Sequence, residues 1–270
     1  MSCENKSEFK FRTPFNISKT VCEAPIRGYK KSKHRILEHL VARKLLRLGV
    51  KAIIFEINSP GGTVVGSRDI SAEIEACSKP TVAWLREVAA SGAYWIAAST
   101  DRIVADPATI TGSIGVTGSF LEFSKLMEKY GITYESITSG PYKDLGSPYK
   151  ETTEEERLLL QKKINAIKDM FVEHISESRG MSVSKVTGLA TGEIFLGTEA
   201  YENGLVDVLG SKQEALAVAE ELAGEKLTLF RYSIKKSLLE RLTQAIASSA
   251  YFIGRGFGDS FRIRDELMLR

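Results

Sequence analysis

Short apolar runs alternate with amphipathic segments through the middle of the chain. Residues 52–57 and 81–85 are compact and mostly apolar, which is typical of strands that are buried on both faces. Helical patterns follow them, over residues 63–78 and 91–99. Strands that alternate with helices predict a mainly parallel sheet with helices on its faces, and therefore a fold of the α/β class.

The alternation continues in the second half of the chain. Further strands are predicted at residues 102–105 and 132–138, and further helices at 121–130, 153–179 and 212–222. Four short units of no assigned type lie between the last two helices, at residues 183–189, 193–196, 198–203 and 205–208. The longest helix begins with a capping-box pattern, Thr153 and Glu156, and Gly180 follows its last turn. Its apolar positions recur three or four residues apart and predict one face that packs on the domain: Leu160, Ile164, Ile167, Phe171 and Ile175.

The ends of the chain have weaker patterns. An amphipathic helix is predicted over residues 33–48, and another over 235–247. The predicted organisation is an N-terminal extension, one main domain, and a C-terminal helix with an irregular tail, over residues 1–20, 21–225 and 226–270. A chain of 270 residues is long enough for one large α/β domain of this kind.

Composition excludes several classes of protein. Apolar residues make up 43% of the chain and charged residues 26%, which is ordinary for a folded globular protein. The net charge of +3 is too small to indicate nucleic-acid binding. Cys3, Cys22 and Cys77 form no CxxC pair and cannot make a complete disulfide framework, which fits either a reducing compartment or a protein that is indifferent to redox conditions.

No segment of the sequence has the pattern of a targeting or membrane-spanning element. The first residues are polar and rich in lysine where a signal peptide needs an apolar core. Nowhere do 18 consecutive apolar residues occur. The sequence therefore predicts no signal peptide and no transmembrane helix, and a location that is cytoplasmic or peripheral at the membrane.

The histidines and glycine-rich segments do not indicate a cofactor. His34, His39 and His174 are the three histidines of the chain, and none lies in a zinc-binding spacing. The glycine-rich segment 111–118 lacks both GxGxxG spacing and a GK[ST] ending, so it is not a phosphate loop. No metal, nucleotide or other cofactor is expected.

One serine has a setting that suits acyl transfer. Ser91 lies between the predicted end of a strand and the predicted start of a helix, where backbone N–H groups are unpaired. An exposed hydroxyl beside such donors meets two requirements of an acyl-transfer nucleophile. A serine at a helix start is also a common N-cap, so this segment alone leaves both interpretations open.

Two other segments favour the catalytic interpretation. The turn at residues 58–62 follows a predicted strand, and its glycines allow the backbone to approach a substrate closely. A glycine N–H of this turn, together with that of Gly92, would bind a tetrahedral oxyanion. Since no histidine is at hand, another group must act as the base, and Lys143 in a turn-rich loop is the candidate.

Four segments, in the same order, resemble the signal-peptide-peptidase A family of Ser-Lys peptidases: INSPGG, AASGAYWIAA, ITGSIGV and SGPYKDLGSP. The likeness extends over about residues 20–225, and the spacing from Ser91 to Ser113 and to Lys143 is similar to that of the family. It implies a crotonase/ClpP-like spiral of βαβ units with additional helices. It also implies roles for five residues: Ser91 as nucleophile, Lys143 as base, Ser113 as the hydroxyl that orients the lysine amine, and Gly62 and Gly92 as the oxyanion hole.

The resemblance further implies a substrate and an assembly. Members of this family cleave apolar peptides in an extended form, such as signal-peptide remnants, through an acyl-enzyme, and they form ring-like homo-oligomers. This chain departs from the family in having Ala93 where many members have glycine, and in lacking an N-terminal membrane anchor in the given sequence. The first difference adds a methyl group beside the nucleophile.

Two alternatives of other classes remain open at this point. The crotonase family has the same spiral core and acts on acyl-CoA thioesters, a chemistry that needs neither Ser91 nor Lys143. A non-catalytic membrane-surface module is the second, because basic residues cluster near both ends and alternate with phenylalanines in the tail. The basic residues are Lys30, Lys31, Lys33, Arg35, Arg43, Lys44 and Arg47, and Lys235, Lys236, Arg241, Arg255, Arg262 and Arg264.

Overall fold

The computed structural model describes residues 20–27 and 50–231. The chain divides into two compact units, Met1–Tyr232 and Ser233–Arg270, and all described residues belong to the first. The helices predicted at 33–48 and 235–247, the tail and the basic clusters lie outside the described residues. The predicted domain boundaries stay a prediction.

The described residues form strands and helices in alternation. The strands are β1 (Thr20–Arg27), β2 (Ala52–Ser59), β3 (Thr81–Ala90), β4 (Arg102–Ala105), β5 (Ile110–Gly112), β6 (Ile194–Leu196), β7 (Val208–Leu209) and β8 (Thr228–Arg231). The helices are α1 (Val64–Glu75), α2 (Gly92–Ala98), α3 (Ser124–Lys129), α4 (Glu154–Arg179), α5 (Val183–Leu189), α6 (Gly197–Glu202) and α7 (Lys212–Ala223).

The strands form one sheet, in which β6, β5, β3, β2, β1 and β8 are successive neighbours. Every pairing is parallel except that of β5 with β6, which confirms the prediction of a mainly parallel sheet. Strand β3 pairs with β4 along its first half and with β5 along its second half. The sheet therefore divides at β3, and this division brings the end of β5 beside the end of β3.

Strand β2 is buried on both faces, which explains its continuous apolar sequence. Ile53 and Ile57 face one core together with helices α1, α2 and α4, whereas Ile54 faces a smaller core against α7. All three side chains are fully buried. Burial of each contributes about 1.5–3 kcal/mol, so β2 stabilises both layers.

Helix α4 has the ends that its sequence predicts. The Thr153 hydroxyl accepts from the backbone N–H of Glu156, and the Glu156 carboxylate accepts from the N–H of Thr153, at 3.2 and 3.0 Å. Gly180 ends the helix in the left-handed conformation, with φ of 60°. Packing is uneven along the helix, because Phe171 and Ile175 are buried but the predicted contacts nearer its start are only half-buried: Leu160, Ile164 and Ile167.

The strand predicted at residues 132–138 is wrong, because the structure has no regular element there. Its apolar side chains lie open to solvent, with Ile132 56% and Ile137 94% exposed. Alternation of apolar and polar residues indicates a pleated strand only where a neighbouring strand pairs with it. Helix α3 is also shorter than the predicted helix at 121–130. The first two residues of the glycine-rich segment 111–118 form the end of strand β5.

Candidate active site

Three neighbouring parallel strands end at the same edge of the sheet. Ser59 of β2 pairs with Ala89 of β3, and Ala90 of β3 pairs with Gly112 of β5. The turn after β2, the residue after β3 and the residue after β5 therefore lie side by side. The carboxyl ends of parallel strands are where α/β proteins bind ligands, so this edge is the candidate site.

Ser91 follows β3 in a strained backbone conformation. Its φ and ψ are 53° and −124°, a region that residues other than glycine rarely occupy. Two backbone hydrogen bonds hold this conformation. The Ser91 N–H donates to the Gly112 carbonyl at 2.8 Å, and the Ser91 carbonyl accepts from the Trp95 N–H at 3.0 Å. The half-buried hydroxyl does not cap helix α2, and it makes no hydrogen bond within residues 20–27 and 50–231. Ser91 therefore occupies the N-cap position of α2, but its hydroxyl does not act as the cap that the sequence left open as an interpretation.

The glycine turn after β2 lies directly against Ser91. Gly61 has φ of 122°, and a methyl group added to it would lie 3.0 Å from the Ser91 Cβ. A methyl group on Gly92 would lie 2.4 Å from the Ser67 Oγ and 3.1 Å from the Gly62 nitrogen. Such close approaches favour glycine, and they bring the Gly62 nitrogen close to the backbone of Gly92.

Helix α2, which begins immediately after Ser91, is fixed by its packing. All seven of its residues are buried. The Tyr94 hydroxyl donates to the Leu205 carbonyl at 2.8 Å, and burial raises the pKa of this phenol well above its usual value. The Trp95 ring stacks on Phe171 of α4, with ring centroids 4.3 Å apart. The backbone at Ser91 is thus anchored in the core on its C-terminal side.

His174 of α4 contacts the far end of the same helix. Its Nε2 lies 3.1 Å from both the Trp95 carbonyl and the Ser99 Oγ, and its ring stacks on the Trp95 ring. Burial lowers the pKa of His174. No hydrogen bond joins it to Ser91 in the described part of the chain. The spacing of Phe171 and His174 places both on one face of the helix, but it does not indicate which helix that face meets, so the sequence alone does not predict this contact.

Ser113 follows β5 and is the second residue other than glycine with positive φ among the described residues, at 49°. Its N–H donates to the Glu193 carbonyl at 2.7 Å, and the Gly192 N–H donates to the Ile114 carbonyl at 3.1 Å. These bonds continue the antiparallel pairing of β5 with β6. They fix Ser113 at the strand end that is adjacent to Ser91.

Lys143 lies in the loop between α3 and α4, and its side chain is exposed. The backbone turns locally, with the Lys143 N–H donating to the Gly140 carbonyl at 3.2 Å. In the described residues its ammonium makes no ion pair and no hydrogen bond, with Ser91 or with any other group. The structure therefore brings together four of the five predicted site residues, Ser91, Ser113, Gly62 and Gly92, and leaves Lys143 outside that cluster.

Within residues 20–27 and 50–231, no group of three or more His, Cys, Asp or Glu side chains is placed to hold a metal ion. In the same part of the chain, none of the helices is both long and apolar enough to cross a membrane. Cys77 is half-buried near the end of α1, and burial raises the pKa of its thiol. It lies away from the edge where Ser91 is found.

Solved structures with the same chain path define the class of fold. The 1510-N membrane-bound stomatin-specific protease, in a mutant complex with a substrate peptide, covers 86% of this chain and 99% of its own, with 17% identity and a TM-score of 0.55. A ClpP1 mutant from Listeria monocytogenes covers 72% of this chain and 93% of its own, with 15% identity and a TM-score of 0.50. The predicted ClpP-like spiral fold is confirmed.

Sequence comparison then gives the family. Residues 73–226, more than half of the chain, match peptidase family S49. A provisionally named protease of Methanocaldococcus jannaschii is 36% identical over 77% of this chain and 66% of its own length. Serine protease SPPA of Arabidopsis thaliana chloroplasts is 34% identical over 82% of this chain and 34% of its own length. The chain belongs to peptidase family S49, the signal-peptide-peptidase A family of serine-type peptidases.

The chain spans less than two thirds of the length of these two relatives. A provisionally named signal peptide peptidase SppA of Enterococcus faecium, 41% identical over 62% of this chain, is likewise matched over 49% of its length. The family match favours a peptidase over the acyl-CoA enzyme that the fold alone leaves open.

Proposed function

We propose that this chain is a serine endopeptidase in which Ser91 attacks the scissile carbonyl and Lys143 accepts the proton of its hydroxyl. The observation that carries the proposal is the backbone of Ser91, strained at the edge of the sheet with a hydroxyl that makes no hydrogen bond to any described residue. Strain of this kind persists where the surrounding structure enforces it, and it is concentrated at active sites. An acyl-enzyme forms on Ser91 and is then hydrolysed by water.

The oxyanion of the tetrahedral intermediate would be bound by the N–H groups of Gly62 and Gly92. The close approach of the two backbones supports this assignment, since a methyl on Gly92 would lie 3.1 Å from the Gly62 nitrogen. Two fixed N–H donors aimed at the developing charge stabilise the transition state without reorganisation.

Lys143 must lose its proton to serve as a base. A free lysine has a pKa of about 10.4, so almost none is neutral at pH 7. Removing water from the amine lowers the pKa, because burial disfavours the ammonium. Lys143 is exposed in the chain by itself, and an apolar peptide bound over its loop would exclude water. The Ser113 hydroxyl would then orient the neutral amine toward Ser91.

The proposed substrates are apolar peptides in an extended form, such as signal-peptide remnants. The segment that includes the Lys143 loop supports this choice, because its large apolar side chains face solvent: Phe120, Leu121, Leu126, Tyr130, Ile132 and Ile137. The test is to incubate purified protein with an unstructured leucine-rich peptide and with the same peptide carrying serine in place of leucine. We expect fragments from the first peptide only; equal cleavage of both would contradict an apolar preference.

Homo-oligomerisation is a further proposal, supported by exposed apolar residues outside that segment, such as Leu158, Met170 and Val183, which association would cover. Light scattering should then give a mass of several chains, and the mass of one chain at all concentrations would contradict it. Peripheral membrane contact also stays a prediction, since the basic clusters on which it rests lie outside the described residues.

Replacing Gly92 by alanine should damage both stability and catalysis. The new methyl group would contact the Ser67 Oγ at 2.4 Å, so we expect a loss of about 1–3 kcal/mol in the free energy of unfolding. It would also push the Gly62 nitrogen away, and we expect kcat to fall by about 100- to 1,000-fold, as when an oxyanion-hole donor is removed. Chemical denaturation and peptide hydrolysis measure the two effects.

The double variant Gly92→Ala with Ser67→Ala separates the two effects. Removing the Ser67 hydroxyl relieves the shorter contact, so stability should return toward that of the wild type. Activity should stay low, because the contact with the Gly62 nitrogen remains. A double variant with full activity would show that displacing the Gly62 N–H is harmless, which would contradict the assignment of Gly62 to the oxyanion hole.

Replacing Ser113 by alanine should impair turnover without abolishing it. We expect kcat to fall by about ten- to a thousandfold with little change in KM, as for a group that orients a base. Ser119→Ala, in the same segment but exposed, is the matched control. Steady-state kinetics over a range of pH give both constants, and a fully active Ser113→Ala protein would reduce Ser113 to a structural residue.

A further inference from the structure

The loop that carries Lys143 is tied to the start of α4 on both sides of the lysine. The residue before it, Tyr142, donates its hydroxyl to the Glu155 carboxylate. The residue after it, Asp144, accepts from the Lys150 ammonium at 2.8 Å, and the same ammonium donates to Glu156 at 2.7 Å. The two residues that flank Lys143 are thus both connected to the first turn of one helix.

Glu156 is the fixed end of this connection. Its side chain is 5% exposed, whereas those of Asp144 and Lys150 are 18% and 30% exposed. One carboxylate oxygen accepts from Lys150 and the other from the Thr153 N–H, in the capping box of α4. Because α4 packs on helix α2 through Phe171, the loop is connected to the core beneath Ser91.

The charge of Asp144 bears on the adjacent lysine. A carboxylate beside an amine stabilises the ammonium form and so raises the pKa of the amine, which opposes its use as a base. The hydrogen bond from Lys150 lowers the pKa of Asp144, so this carboxylate is ionised at neutral pH. The ion pair with Lys150 holds the Asp144 carboxylate, and the Lys150 ammonium compensates its negative charge.

The other charged groups near this loop are also largely paired. Glu155 accepts from Tyr142, and the hydrogen bonds with Asp144 and Glu156 raise the pKa of Lys150 and keep it cationic. On the neighbouring helix α3, Lys125 pairs with Glu151 at 3.6 Å. The Asp144–Lys150 pair is thus the charge pair that is adjacent in sequence to Lys143.

We propose that Lys150 is a positioning residue of the peptidase reaction, which holds the Asp144 carboxylate toward α4 and so keeps it from pairing with the Lys143 amine. The proposal rests on the proposed role of Lys143 as the base. The polar contacts of Lys150 within the described residues are with Asp144 and Glu156, and none is with Ser91, so it acts through Asp144.

The test is the pH profile of kcat/KM for Lys150→Met. Removing the ammonium leaves Asp144 free to pair with Lys143, so the acid limb of the profile should move to higher pH. We expect kcat/KM about three- to tenfold lower at a pH below the limb, and within about twofold of the wild type on the alkaline plateau. Asp144→Asn combined with Lys150→Met removes both charges and should return the limb to its original position. Lys150→Arg should keep it there.

Lys226→Met is the matched control, because it removes an ion pair of the same 2.7 Å length with Glu220 at a distant, exposed site. It should leave the profile unchanged. Loss of activity at every pH in Lys150→Met, with no recovery in the double variant, would overturn the proposal and reduce Lys150 to a structural role. If Lys150→Met does not fold, Lys150→Gln replaces it, and an unshifted limb in that variant overturns the proposal. An active Lys143→Met protein would instead refute the base assignment itself.

Discussion

Replacing Ser91 by alanine is expected to lower kcat for peptide hydrolysis by at least about a thousandfold, as removal of a catalytic nucleophile does in other serine peptidases. The free energy of unfolding should change by less than about 1 kcal/mol, because the hydroxyl makes no hydrogen bond in the described structure. The backbone strain remains in the variant, since alanine has the same Cβ. Peptide hydrolysis and chemical denaturation of the same preparation measure both quantities.

Ser99→Ala at the other end of helix α2 is the control. The Ser99 hydroxyl lies 3.1 Å from the His174 Nε2, so its loss should cost about 1 kcal/mol of stability while activity is retained. We thus expect opposite results: Ser91→Ala loses activity and keeps its stability, whereas Ser99→Ala loses stability and keeps its activity. A Ser91→Ala protein with kcat within tenfold of the wild type would contradict the assignment of the nucleophile.

Lys143→Arg is expected to be as inactive as Lys143→Met, with kcat lowered by at least about a thousandfold. A guanidinium cannot lose its proton near neutral pH, so it keeps the charge and the reach of lysine but cannot act as a base. Neither variant should lose stability, because the Lys143 side chain is exposed and makes no ion pair within the described residues. Kinetics at several pH values measure the effect.

Lys125→Arg, on the neighbouring helix α3, is the control for changing an exposed lysine to arginine, and it should be fully active. Activity of Lys143→Arg above a tenth of the wild type would show that Lys143 positions the substrate or the loop by its charge. The base would then have to be another group.

The elements that the sequence predicts best are those whose local signals agree with their packing. Strand β2 is a continuous apolar run because it is buried on both faces. Helix α4 begins at the capping box of Thr153 and ends at Gly180, as its sequence indicates. The turn at residues 58–62 and Ser91 each follow a predicted strand, and parallel strands place their carboxyl ends at one edge, so their meeting agrees with the sequence pattern. The place of Ser113 beside them is implied only by the family resemblance.

Other features depend on partners that lie far away in the sequence. The segment 132–138 has the alternation of a strand but no strand beside it, so it stays irregular. His174 contacts Trp95 only because α4 crosses α2, which no local pattern indicates. The position of Lys143 relative to Ser91 is equally unpredictable from the sequence, since spacing along the chain does not determine separation in space.

The central claim is that Ser91 is the nucleophile, and mapping the covalent adduct of a fluorophosphonate tests it most directly. Trypsin releases residues 87–102 as one peptide, which contains both Ser91 and Ser99, so fragmentation of this peptide by tandem mass spectrometry must assign the modified residue. We expect the adduct on Ser91, its absence from Ser91→Ala, and its loss in parallel with peptidase activity in Lys143→Met. Inhibition of the peptidase by an adduct on Ser99, or on a serine of another peptide, with Ser91 unmodified, would contradict the claim.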